Sequence, residues 1–260
     1  PDGVPLVRGS ILDRALLDAT LAEHGVTGVV HVAGYKYAGV SVQRPLHTYE
    51  QNVTGTAVLL AAMAASGVDR IVFSSSAAVY GTPTTDLVTE ATPTSPESPY
   101  GESKLIGEWL LRDQGIATGL RHVSLRYFNV VGSADVAIWD ASAHNLFPLV
   151  FSALAEGRAP RINGDDYATP DGTCVRDYIH VGDLAATHAA AALALDAGQA
   201  LRSVYNLGSG DGVSVRQIMS AIARGTGIDV EPEVGPRRVG DPARIVASGE
   251  AAARDLGWAA

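Results

Sequence analysis

Short apolar runs rich in β-branched residues alternate with longer helix-like stretches in this chain. That alternation limits the fold more than any other feature. "GVTGVVHVAG" (25–34) is a strand-like run ending in small residues, and "YEQNVTGTAVLLAAMAASG" (49–67) is a helical stretch closed by Gly67. "VDRIVFSSSAAVYG" (68–81) is a buried strand running into a serine cluster. A Pro/Thr/Ser-rich loop (82–99) leads to a helix carrying Tyr100 and Lys104, and "HVSLRYFNVVG" (122–132) is the next strand. Repeated strand–helix–strand order predicts a parallel sheet with helices on both faces, a doubly wound α/β fold of Rossmann type. Ligands of such sheets sit outside the carboxyl ends of the strands. "AGYK", "SSSAAVYG" and "RYFN" fall at three such ends, where polar clusters are odd as core packing and sensible as a site.

Past about residue 133 the pattern loosens. "NLFPLVFSALAEGR" (145–158) reads as a helix, followed by a turn-rich loop, a short strand and a helix beginning near Asp183. A further strand, a Gly/Asp loop and a helix capped near Ser214 come next. The expected division is a nucleotide-binding domain, 1–132 plus about 175–210, and a smaller α/β substrate domain, 133–174 plus 211–260.

Composition narrows the function. The formal net charge is -9, whereas nucleic-acid binding relies on a basic footprint. The single cysteine, Cys174, excludes an internal disulfide and a Cys-based zinc site. No apolar run reaches spanning length, and the start "PDGVPLVRGS" has no basic and apolar leader pattern. The expectation is a cytoplasmic protein with no nucleic-acid, membrane or metal partner.

Two motifs carry chemistry. Tyr100 and Lys104 stand four residues apart, one helical turn on one face. A tyrosine, ordinarily near pKa ~10, is a poor base at neutral pH. A neighbouring ammonium favours the phenolate and lets the tyrosine exchange a proton with a substrate hydroxyl. Alone, the pair is also what an ordinary helix surface offers. Ser74, Ser75 and Ser76 end a buried strand, where polar groups need partners. They read either as a small-residue turn or as a source of a hydroxyl for the same substrate oxygen, with Ser76 the choice.

Taken together, "HVAGYKYAGVSVQRPLHTYEQNVTGT", "FSSSAAVYG", "SPYGESK", "LRYFNVVG", "DGTCVRDYIHVGDLA", "YNLGSG" and "RRVGDPARIVAS" resemble the UDP-glucose 4-epimerases (UDP-galactose 4-epimerases) of the extended short-chain dehydrogenase/reductases. The likeness runs from about residue 6 to residue 258. It implies reversible C4 epimerisation of a UDP-hexose through a transient 4-keto sugar, tightly bound NAD, and a homodimer. Carried over by position, it implies Ser76, Tyr100 and Lys104 as catalytic residues. It places Ile11, Val32, Ala33, Gly34, Lys36, Asn52, Ser74 and Tyr127, with Tyr100 and Lys104, at NAD. It assigns Asn129, Asn145, Leu146, Arg176, Arg238 and Asp241, with Ser76 and Tyr100, to the UDP-sugar. Arginines suit a diphosphate because the guanidinium fork binds oxygens bidentately and keeps its charge.

The sequence also departs from that family. The opening β-α-β unit with its G-x-x-G-x-x-G turn is not in this sequence, so the expectation is a portion of a longer protein. Ser10 stands where the family usually has Asp, Asn163 where an aromatic often lies, and Val130 where proline is frequent. Ile245 falls at a position near the sugar. A 4,6-dehydratase needs a carboxylate after the serine, and Ser76-Ala77-Ala78 has none. Two alternatives stay open: an epimerase of UDP-N-acetylglucosamine, UDP-xylose or UDP-glucuronate, and a non-catalytic NAD-fold sensor.

Overall fold

The computed structural model describes residues 3–135, 137, 138, 140, 145–238 and 241–258. The chain begins with α1 (Arg14–Glu23), β1 (Val29–His31), α2 (Ala38–Ser41), α3 (Pro45–Tyr49), a π-helical turn (Glu50–Thr54) and α4 (Gly55–Ala65). Next come β2 (Arg70–Ser74), a 3-10 turn (Ala77–Tyr80), α5 (Pro99–Thr118), β3 (Arg121–Tyr127) and β4 (Asn129–Val131). There follow α6 (Leu146–Ala155), β5 (Arg161–Asn163), β6 (Val175–Arg176), β7 (Tyr178–His180) and α7 (Val181–Asp196). The last elements are β8 (Val204–Leu207), β9 (Val213–Ser214), α8 (Val215–Thr226), β10 (Glu233–Gly235), β11 (Arg244–Ile245) and α9 (Glu250–Leu256).

These elements form two compact units. The first holds the chain up to Gly81 with Pro93–Arg126 and His188–Tyr205. The second holds Thr82–Thr92, Tyr127–Thr187 and the chain from Asn206. The expected domain limits differ at several places. Residues 127–132 and 175–187 cluster with the second unit because β4 pairs with β7 there, in register Asn129↔Tyr178. The segment 82–92 joins the same unit through a bridge from Val88 to Ala247.

The first unit has a four-stranded sheet of order β1-β2-β3-β8, with β1–β2 and β2–β3 parallel. Side chains alternate across a strand, and β2 shows both faces in use. Ile71 and Phe73 join Leu59, Leu60 and Met63 of α4 and Leu111 of α5 in one apolar core. Ser74 points the other way and meets His188 of α7. The doubly wound arrangement expected from the alternation is therefore present, with helices on both sheet faces.

Local chemistry sets the helix ends. Ser98 accepts from the Gly101 N–H and Pro99 opens α5, while Gly119 ends it in the left-handed conformation. Ser214 and Gln217 form a reciprocal capping box at α8. The helical stretch expected over 49–67 starts earlier, at Pro45, and contains the π turn. Such turns insert an extra residue and are frequent at functional sites. The strand expected over 122–132 breaks at Phe128, because β4 leaves the first sheet to pair with β7. In the second unit the core is built on Val150, Ile162, Ile218, Met219 and Ile222.

His31 on β1 is buried, bonded through Nε2 to Thr56 Oγ1 at 3.0 Å and set against the Phe73 ring. Burial, then the charge of Lys104, pushes its pKa from 6.5 down to about 4. The unfolded chain therefore takes up a proton as pH falls through 6.5, which the native chain refuses until about 4. Stability is lost across that window, by roughly 3 kcal/mol at most. Urea unfolding at several pH values between neutral and pH ~4 should show this acid sensitivity in the wild type and a flatter profile in His31→Gln.

Candidate active site

Three consecutive serines end β2 and do three different things. The Ser74 carbonyl accepts from Lys104 Nζ at 2.8 Å, and its hydroxyl pairs with His188 Nε2 at 2.7 Å. Ser75 turns to the other face and donates to Glu108 Oε1 at 2.5 Å. Ser76 caps the 3-10 turn, its hydroxyl accepting from the Ala78 N–H at 3.1 Å, and is half-buried. Of the three, Ser76 is the most exposed, while Ser74 and Ser75 are buried.

Helix α5 starts against that turn. A Cβ at Gly101 would lie 2.5 Å from the Ala78 carbonyl oxygen, and one at Gly107 would lie 2.7 Å from Phe73 Cζ. Only glycine lets the helix approach this closely. Tyr100, in the first turn of α5, donates its N–H to Ser41 Oγ at 3.1 Å and is half-buried. Lys104 lies one turn on, 5 % exposed, with Nζ 5.0 Å from the Phe73 ring centroid and 5.9 Å from that of Tyr100. Burial pulls its pKa from 10.5 down to about 8. Among the described residues no carboxylate forms an ion pair with it, so the ammonium has donors to spare.

The turn after β1 supplies a second group. Val32, Ala33, Gly34 and Lys36 are exposed, and Gly34 has φ +148°. A Cβ there would lie 2.9 Å from Asn52 Oδ1 and 3.7 Å from Lys104 Nζ. Asn52, in the π turn, accepts from the Tyr35 N–H at 2.6 Å and donates to Tyr35 O at 3.0 Å and Ser103 Oγ at 2.8 Å. Its amide thus ties the turn to α5. Lys36 Nζ sits 5.7 Å from the Tyr37 ring centroid. Ile11 packs on Gly55, where a Cβ would be 2.6 Å from Ile11 Cγ2. A side-chain-free cradle at Gly34, beside a buried ammonium with no described carboxylate partner, leaves room and a hydrogen-bond donor for a cofactor's polar group.

The remaining candidates belong to the second unit. Arg176 on β6 donates from Nη1 to Val175 O at 2.9 Å and Pro242 O at 2.8 Å, and its Nη2 is 3.6 Å from Asp241. Arg238 Nε is 4.0 Å from the same carboxylate. Arg176, Arg238 and Asp241 are therefore brought together. Asn145 stands at the N-cap position of α6, ahead of Leu146, with no side-chain cap bond, and donates instead to Asp140 Oδ2 at 2.6 Å. Tyr127 ends β3, and Asn129 opens β4 with its N–H on Asp177 O at 3.0 Å. Ile245 pairs with Arg176 in register, Asn163 pairs with Gly235, and Val130 pairs with Ile179. Ser10 Oγ accepts from the Leu12 N–H at 3.1 Å.

Sequence reasoning missed several residues that build this site. Ser103 holds both Asn52 and the Tyr100 carbonyl, the latter at 2.7 Å. Asp177, fully buried, accepts from Ser209 N and Oγ and from Ala247 N, and anchors the strand that carries Arg176. Glu108 and Arg126 form a buried ion pair behind the serines. Glu108 was findable as the next residue on the Tyr100–Lys104 helix face; Asp177 had no sequence signal beyond its neighbour Arg176.

Among the described residues, no cluster of His, Cys, Asp and Glu could hold a metal ion, and no helix is long and apolar enough to cross a membrane. A family described as the NAD dependent epimerase/dehydratase family matches residues 1–208. The UDP-glucose 4-epimerase of Azospirillum brasilense is 43% identical over 262 residues, covering 99% of this chain and 75% of that protein. A crystal structure of a UDP-glucose 4-epimerase superposes with TM-score 0.94 at 41% identity, covering 100% of this chain and 80% of that one. The UDP-glucose 4-epimerase of Brucella ovis in complex with NAD gives TM-score 0.91 at 40% identity, over 97% and 79% of the two chains.

The chain has only two lysines, Lys36 and Lys104. In protein carrying isotope-labelled lysine, NMR should therefore show a Lys104 signal that is removed in Lys104→Arg. That signal is expected to titrate near pH 8 in the NAD-free protein, as against the ordinary 10.5.

Proposed function

The chain belongs to the NAD dependent epimerase/dehydratase family, and we propose that Tyr100, Lys104 and Ser76 carry its reaction, the reversible inversion at C4 of a UDP-hexose. The substrates are UDP-glucose and UDP-galactose. The observation that carries the reading is the buried Lys104 ammonium, held by the Ser74 carbonyl beside the Tyr100 ring and left without a described carboxylate partner.

Bound NAD supplies a two-electron acceptor that is restored within each cycle. Val32, Ala33, Gly34, Lys36, Ile11, Ser74 and Tyr127 form its surroundings in this reading, and Asn52 acts by fixing the Gly34 turn. Tyr100 takes the proton from the 4-hydroxyl as the sugar becomes a 4-keto sugar, and returns it to the oxygen of the inverted centre. Lys104 favours the phenolate form of Tyr100 that accepts this proton, and favours it again when the proton is returned, at low cost in reorganisation because the ammonium is already dry and fixed. Ser76, the half-buried serine of the three, hydrogen-bonds the reacting oxygen. Arg176 and Arg238 hold the diphosphate. Asp241 keeps their guanidinium groups together until it arrives. Asn129, Asn145 and Leu146 complete the contacts to the sugar nucleotide.

A homodimer and a cytoplasmic setting are part of the same reading. The buried free thiol of Cys174 fits a reducing compartment.

Replacing Tyr100→Phe should lower turnover of UDP-galactose to UDP-glucose by about 10²–10⁴-fold. Bound NAD and UDP-sugar affinity should stay near wild type. A coupled assay and equilibrium binding measure the two; a near-wild-type rate removes the tyrosine from the chemistry.

A further inference from the structure

Behind the three serines lies a charged cluster that the reaction itself does not use. Glu108 and Arg126 side chains are 6% and 7% exposed and meet bidentately, Arg126 Nε to Oε1 at 2.8 Å and Nη2 to Oε2 at 2.5 Å. Arg126 Nη1 donates to Tyr80 Oη at 2.8 Å, with the guanidinium 4.9 Å from that ring's centroid. Glu108 Oε1 also accepts from Ser75 Oγ. Ser75 is fully buried, so it does not reach substrate.

Burying an ion pair is expensive, and apolar replacements of similar size often cost nothing in stability. Hydrophobic packing alone would hold α5 on β2. The pair adds direction. It links four pieces: α5 through Glu108, β3 through Arg126, the 3-10 turn through Tyr80, and the end of β2 through Ser75. Glu108 lies one turn beyond Lys104 and two beyond Tyr100 on the same helix face. The carboxylate can reach Ser75 and the guanidinium together only when α5 sits in one position along β2.

We propose that Ser75, Glu108 and Arg126 are positioning residues for the epimerisation. They fix the sliding position of α5 against the end of β2, and with it the placement of the Tyr100 phenol relative to Ser76. The proposal rests on the reading of Tyr100 and Ser76 given above. A misplacement of about 1 Å in such a constellation can cost on the order of 100-fold in rate.

The test uses the complete, NAD-loaded enzyme and three variants. Ser75→Ala removes only the hydroxyl that ties the ion pair to the strand end. It should lower kcat by about 10-fold or more. KM for UDP-galactose, NAD content and Tm should stay near wild type. The double variant Glu108→Met with Arg126→Met should keep a wild-type-like Tm, as apolar replacements of a buried pair do. Its kcat should fall at least as far as that of Ser75→Ala. A wild-type kcat in the double variant or in Ser75→Ala overturns the proposal and leaves the pair with a purely stabilising role; if the double variant fails to fold, Ser75→Ala decides alone. A fall in Tm with unchanged kcat does the same. Tyr100→Phe is the third variant and separates the two readings. If it keeps its rate, the premise fails; if it loses its rate while Ser75→Ala does not, this inference alone fails.

Discussion

Everything assigned to the first unit depends on one charge in an unusual place. Lys104 is buried at the carboxyl end of β2, with its ammonium on the Ser74 carbonyl. A buried ammonium is costly unless it is paired, and among the described residues it has no carboxylate. The cost shows in the pKa, which burial pulls down to about 8. A side chain held in that state is available to the Tyr100 phenolate that accepts the substrate proton. This is the physical reason that the Tyr100–Lys104 spacing means more here than on a solvated helix.

The packing around the lysine follows from it. To bring the ammonium to Ser74, α5 must come close to β2 and the 3-10 turn, and it does so at Gly101 and Gly107. The π turn then sets Asn52 where it bonds both Tyr35 and Ser103, which holds the Gly34 turn against the same helix. The Phe73 ring faces the ammonium itself, its centroid 5.0 Å from Nζ. Apolar packing supplies the adhesion in this region, while directional bonds to backbone carbonyls and amides supply the alignment.

Much of this was legible in the sequence, and for identifiable reasons. The alternating strand and helix stretches gave the sheet. The Tyr-x-x-x-Lys spacing and the serine cluster marked a strand end, because β-branched runs and small polar residues carry local signal. The break at Phe128 was not legible, since "HVSLRYFNVVG" is uniformly strand-like and the partner that captures β4, β7, lies some fifty residues on. The π turn was hidden for a similar reason: one inserted residue barely changes a helical pattern. The roles of Asp177 and of the Glu108–Arg126 pair depend on what other elements bring to them, and no local pattern encodes that. In the second unit Arg176, Arg238 and Asp241 were singled out only through resemblance, because Arg238 and Asp241 are near neighbours in sequence but far from Arg176, and charged residues so placed look like solvated surface.

The same unit therefore buries charge in two ways, and the contrast separates their roles. Arg126 and Glu108 neutralise each other: burial opposes the guanidinium's charge, but the Glu108 contact outweighs it and holds Arg126 firmly protonated. Such a pair cannot respond to chemistry nearby, but it can fix geometry, since its bonds are strong only in one arrangement. Lys104 is the opposite case, poorly neutralised and therefore responsive. Placing one turn of helix between them allows a rigid charged anchor and a responsive charged group on a single element. Had Lys104 been given the carboxylate instead, its ammonium would be cheaper to bury and worth less to the Tyr100 phenolate, because a charge already satisfied has little left to gain from a second partner.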